Sequence, residues 1–183
     1  MTDYKLIRSN RKTVSLQVKD GQAIVRAPMK MSVRDIDAFV LKNSDWLKKQ
    51  LEKSRARAAA RERIPKLTEQ EMKKLTQYAK SYLPQRVAYY APIVGVTYNK
   101  ITIRHQKTRW GSCSSKGNLN FNCMLMLTTP EVIDSVVVHE LCHRKEMNHS
   151  KKFYAHLLRV YPEYSKCRKW LKENGRAILD RMP

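Results

Sequence analysis

Residues 139–143 read His-Glu-Leu-Cys-His, directly behind the apolar run Val136-Val137-Val138. This pairing constrains the fold more than anything else in the chain. Thr128-Thr129-Pro130-Glu131 supplies a helix start, with a proline where a missing N–H costs nothing. The spacing predicts a helix over EVIDSVVVHELCHRKEM, residues 131–147. Its first half is apolar on most sides, so it must be covered on most sides. That burial carries two imidazoles and a carboxyl into the interior, where they would be costly without partners. A metal ion accounts for them. Positions four apart on a helix lie one turn above each other on the same face. His139 and His143 can therefore share one tetrahedral zinc, one ion per chain, while Glu140 borders the position left open for water and acts as general base.

Catalytic zinc takes three protein ligands. His149 lies ten residues beyond His139, across Met147-Asn148, where an asparagine can take the left-handed conformation that ends a helix and turns the chain back. His156, inside a following helical pattern, is the rival ligand, and an acidic residue is the remaining option. His105 reads as an ordinary histidine at the end of a strand. Cys142 sits between the proposed ligands but projects from another face of the helix.

The rest of the chain reads as α+β in two parts, residues 1–66 and 67–183. In the first, Val14, Leu16 and Val18 alternate with polar neighbours, and Asp20-Gly21 gives a hairpin turn before Ala23-Ile24-Val25. Ser32 and Asp35 then resemble a capping box before a helix through Ile36, Phe39 and Val40, with a possible break at Asn43-Ser44 and a solvated basic end reaching Pro65. In the second part, Thr68 and Glu71 form another capping box, and Pro84 should kink or restart the helix that follows. VTYNKITIR reads as a strand or tight pair, His105–Asn118 as a polar loop, and LNFNCMLML as a strand with Leu119, Phe121, Cys123 and Leu125 on one face. The spacing predicts two more helices, one capped by Ser150 and a last one over 163–174 that ends at Gly175.

The net charge of +21 is spread along the whole chain rather than gathered in a tail. A surface of this sign can attract nucleic acid in a salt-sensitive way, or simply solubilise the protein. Cys113, Cys123, Cys142 and Cys167 form no C-x-x-C pair, which argues against a zinc ribbon and suits reduced, partly buried thiols. No apolar run is long enough to span a membrane, and the N-terminal residues lack the core of an export signal, so the cytoplasm is the expected compartment. Nothing in the sequence sets the oligomeric state.

The runs KTRWGSCSSKGNLNFN and TTPEVIDSVVVHELCHRKEMNHSKKFY, together with RSNRKTVSL and VRAP near the N-terminus, resemble the YgjP-like metallopeptidases over nearly the whole chain. These are zincins related to the SprT-like and WLM groups. The resemblance implies a small sheet packed on the H-E-x-x-H helix, a third histidine in Asn148-His149-Ser150, and a peptide or protein as substrate. It also places the 105–118 loop near the active-site helix. Arg109 then becomes a candidate for stabilising an anionic intermediate, with Tyr154 a second candidate. Trp110 could equally pack as a lid, and Gly111 could simply permit a tight turn. The 119–126 segment is a candidate edge strand for a bound peptide or a plain core strand. The competing readings are a nucleic-acid-associated protein with a structural metal, a protease acting on DNA-bound proteins, and a metal hydrolase with a non-peptide substrate.

Overall fold

The computed structural model describes residues 3–183, which fall into two compact units divided between Ile64 and Pro65. In the N-terminal unit, β1 (Lys5–Ser9), β2 (Ser15–Lys19) and β3 (Gln22–Pro28) are followed by α1 (Val33–Lys42) and α2 (Ser44–Glu62). Asp20 and Gly21 both take positive φ, 50° and 76°, which is the turn that matches the twist of a two-residue hairpin. They set β2 antiparallel to β3, with Lys19 opposite Gln22. β1 lies parallel on the other side of β3 and makes the sheet mixed, in the order β1-β3-β2. Ser32 caps α1 by accepting from the Asp35 N–H. Val25, Ala27, Ile36, Val40 and Leu47 close this core, while the arginine-rich end of α2 stays exposed.

The C-terminal unit begins with α3 (Glu69–Val94), opened by the Thr68/Glu71 capping box and closed by Gly95 at a φ of 74°. Pro84 does not interrupt it. The stripe Ala79, Leu83, Val87 and Ala91 is buried without a break, and packing along that face outweighs one lost backbone bond. The carbonyl left unpaired belongs to Lys80, an exposed position where water can serve it.

A second mixed sheet follows, from β4 (Ile101–Arg104), β5 (Gly111–Cys113) and β6 (Leu119–Asn122), in the order β4-β6-β5. Two expectations change here. The 105–118 segment is not loop throughout, because β5 lies within it, antiparallel to β6. The strand at 119 stops at Asn122, and Cys123–Leu127 form a single 3-10 turn. Cys123, Met124 and Leu125 are all fully buried, which strand alternation cannot arrange for three consecutive side chains but a tight turn can. Asn122 caps that turn by accepting from Met124 N at 3.1 Å. β6 is therefore the central strand and cannot be an edge for a peptide.

Then come α4 (Pro130–Cys142), α5 (Lys151–Val160) and α6 (Tyr164–Leu179). α4 is buried on nearly every side from Val132 to Val138, as its composition requires, but ends at Cys142, earlier than its pattern suggests. α6 runs past Gly175, which is not a helix end. A Cβ there would stand 3.0 Å from the Trp110 ring, so the glycine admits a close approach instead. No helix among the described residues is long and apolar enough to cross a membrane.

α3 and α4 are tied by a bidentate pair: Arg86 Nε and Nη2 donate to the two Asp134 carboxylate oxygens at 2.7 and 2.6 Å, and the Tyr90 hydroxyl adds a third bond at 3.1 Å. The Asp134 carboxylate holds the Arg86 guanidinium above its ordinary pKa. Asp134→Ala strands that guanidinium, with an expected loss of about 3 kcal/mol in denaturant unfolding. An Arg86→Met, Asp134→Leu double replacement should cost less than Asp134→Ala alone. A single-variant loss below about 1 kcal/mol would show the pair to be dispensable.

Candidate metal centre

Three histidines converge at the end of α4. His139 and His143 are one turn apart on the helix, and His143 is its C-terminal cap. The chain then reverses through bonds from the Arg144, Lys145 and Glu146 N–H groups to the Leu141 and Cys142 carbonyls. Asn148 takes no left-handed conformation: Asp20 is the one non-glycine residue with positive φ among those described. The hydrogen-bonded turn does that work, and Ser150, directly after His149, anchors the chain there by capping α5, its hydroxyl accepting from Phe153 N. His139 Nε2 lies 3.2 Å from His143 Nε2 and 3.1 Å from His149 Nε2. The ligating atoms of all three lie within 4.8 Å of one another. His156 and the four cysteines lie outside this cluster, and His105 Nε2 instead meets the Thr76 hydroxyl at 2.8 Å.

The donor set fits a metal. His143 Nδ1 faces the Glu146 carbonyl at 3.1 Å. A carbonyl only accepts, so Nδ1 carries the proton and Nε2 is left as a lone pair directed at the cluster. Burial and the two neighbouring imidazoles push the His139 pKa down to about 3, and burial lowers that of His143. Both are held in the neutral form that ligates. Three such nitrogens cannot satisfy one another with hydrogen bonds, whereas one cation satisfies all three. At a zinc–nitrogen distance of about 2.0–2.1 Å, tetrahedral ligands stand roughly 3.3–3.4 Å apart, close to the two separations found here. The Phe153 ring forms the floor, with centroids 5.0, 4.6 and 4.9 Å from those of His139, His143 and His149.

Glu140 opens onto a cleft of about 280 Å³ bordered by His139, Arg109, Trp110, Gly111, Tyr164 and Arg168. The residue is 5% exposed, and its side chain makes no hydrogen bond or ion pair among the described residues. Burial pushes its carboxyl up to about 8. Gly111 has an ordinary backbone, so no turn requires it. A Cβ there would stand 2.6 Å from Glu140 Oε1, and the missing side chain is the space the carboxyl occupies. The Asn122 amide holds the preceding loop by donating to the Gln106 and Arg109 carbonyls at 2.6 and 2.8 Å. Arg109 is thereby kept at the cleft. Tyr154 stands to one side, its ring 6.3 Å from that of His149 and 6.0 Å from the Arg168 guanidinium. Spacing gives no hint of Tyr164, whose hydroxyl meets His139 Nδ1 at 2.9 Å.

A buried H-E-x-x-H helix with a third imidazole folded back onto it, beside a small mixed sheet, defines a metal-dependent hydrolase. The family model described as YgjP-like, metallopeptidase domain, matches residues 12–74 and 60–174. The chain belongs to that family, and its class of activity is that of a metallopeptidase. Similar solved structures include the metallopeptidase zymogen of Pyrococcus abyssi abylysin, 21% identical with a TM-score of 0.46 over 51% of this chain and 96% of that one. The metallopeptidase zymogen of Methanocaldococcus jannaschii jannalysin is 20% identical with a TM-score of 0.45, over 50% of this chain and 95% of that one. No curated protein matches the chain.

Proposed function

We propose that this protein is a zinc peptidase that binds one ion per chain through His139, His143 and His149, with Glu140 as general base. The convergence of three imidazole nitrogens beside a buried, unpartnered carboxyl carries the reading. Bound there, zinc would supply Lewis acidity, bringing the pKa of water to roughly 7 and polarising a carbonyl. Glu140 takes the proton of the attacking water and returns it to the leaving amine. A dication at the three histidines opposes the burial that raises the Glu140 pKa, and so favours its ionised, basic form. Arg109, which lines the cleft, would balance negative charge on the reacting carbonyl oxygen, with Tyr154 the second candidate for that part.

β5 is the edge of its sheet and borders the cleft at Gly111. Its outer backbone groups suit an extended peptide laid alongside as an added strand.

The test is metal analysis of the purified chain paired with cleavage of a mixed peptide pool. About one zinc per chain is expected, falling to on the order of a tenth or less after His149→Ala, since a three-ligand site loses most of its affinity with one donor gone. Cleavage should stop with a chelator and return with zinc. Full zinc content without any cleaved peptide bond would point to a structural metal and favour the nucleic-acid-associated reading. Zinc indifferent to all three histidines would remove the site.

A further inference from the structure

The geometry points to Tyr164 as a positioning residue that orients His139 for metal binding; this rests on the zinc-site reading above. Tyr164 stands at the first turn of α6, 8% exposed, with its ring stacked on the His139 imidazole at 5.7 Å and 16°. Its hydroxyl lies 2.9 Å from His139 Nδ1, the ring nitrogen opposite the one that faces the other two histidines. Ligating histidines generally bond through their other nitrogen to a group that fixes tautomer and ring direction. His143 uses the Glu146 carbonyl for this. His139 has the tyrosine.

The two partners are not equivalent. A carbonyl can only accept, so it dictates the His143 tautomer. A phenol can donate or accept, and by itself leaves His139 free to carry its proton on either nitrogen. When Nε2 serves as the ligand, Nδ1 must hold the proton and Tyr164 must accept it. The hydroxyl's own hydrogen is then released from the histidine and turned toward the cleft that Tyr164 also borders. Its stacked ring also holds the imidazole plane.

Zinc affinity is to be measured by chelator competition for the full-length parent, Tyr164→Phe and Tyr161→Phe. Tyr161 is the control because it stands on the same approach to α6 but donates to the Glu131 carbonyl instead. The expected result is a 10- to 100-fold weaker Kd for Tyr164→Phe, parental affinity for Tyr161→Phe, and metal-free melting temperatures within a few degrees of the parent. A second measurement needs no variant. In the zinc-loaded parent, the 15N spectrum of His139 should show a protonated Nδ1 and an unprotonated, zinc-bound Nε2. Parental affinity in Tyr164→Phe, or the opposite tautomer in the parent, would overturn the assignment. Parental zinc binding that survives His139→Ala would instead overturn the site itself, which keeps the two failures distinct.

Discussion

Turnover of a cleavable peptide is expected to fall about 10²- to 10⁴-fold on Glu140→Gln, the usual worth of a general base, with zinc content unchanged. Glutamine keeps the shape and removes only the basicity. The side chain is not a ligand in this reading, so the metal has no reason to leave. The same replacement should also raise the stability of the metal-free chain, and the sign follows from burial. The Glu140 carboxyl titrates at about 8 in the fold against an ordinary 4.5. The folded state therefore holds this proton more tightly than the unfolded state does. The contribution is fully present below pH 4.5 and is lost as pH rises toward about 8. Glutamine does not ionise and loses nothing over that window. Metal-free Glu140→Gln should match the metal-free parent near pH 4 and exceed it near pH 8 by on the order of a few kcal/mol. Unfolding curves at the two pH values check this. A variant less stable than the parent at high pH would mean that the carboxylate has a partner in solution. A variant with parental turnover would remove Glu140 from the chemistry.

The parts of this candidate site were not equally legible in the sequence. The H-E-x-x-H residues announce themselves through helical spacing and through the valine run that forces them inside. His149 is reachable by distance along the chain, although the reversal that brings it back uses backbone hydrogen bonds and no left-handed asparagine. Tyr164 lies twenty-five residues beyond His139 on another helix, and no periodicity connects them. The two misread glycines fail for a common reason. Glycine in a sequence suggests a turn or a helix end, but Gly111 and Gly175 take ordinary backbone conformations and are small because Glu140 and Trp110 lie against them. Close approach between distant segments leaves no local signature. The mixed sheet was half legible for a related reason: β4 and the start of β6 carry their own β-branched and alternating patterns, whereas Gly111-Ser112-Cys113 becomes a strand only by pairing with β6.

Gly111→Ala follows from that close approach and should be nearly as damaging as loss of the glutamate. The added methyl would stand 2.6, 2.7 and 2.9 Å from Glu140 Oε1, Cγ and Cδ, inside any permissible contact, so one of the two must move. β5 is held to β6 by the register that sets Gly111 opposite Phe121, a fully buried residue. The strand is therefore the less able to yield. The carboxyl is displaced instead, and a shift of about 1 Å in a reacting group can cost on the order of 10²-fold in rate. Overpacking adds a stability loss of about 1–3 kcal/mol. A double-mutant cycle separates this from general damage. On a Glu140→Gln background, Gly111→Ala should cost almost no further activity, because the group it displaces is already inert. On a Glu140→Ala background the stability loss should largely vanish, because the atoms that clash are gone. If Gly111→Ala keeps full turnover, or if its stability cost persists beside alanine at position 140, then the glycine is not there to house the glutamate and β5 does not set where the base stands.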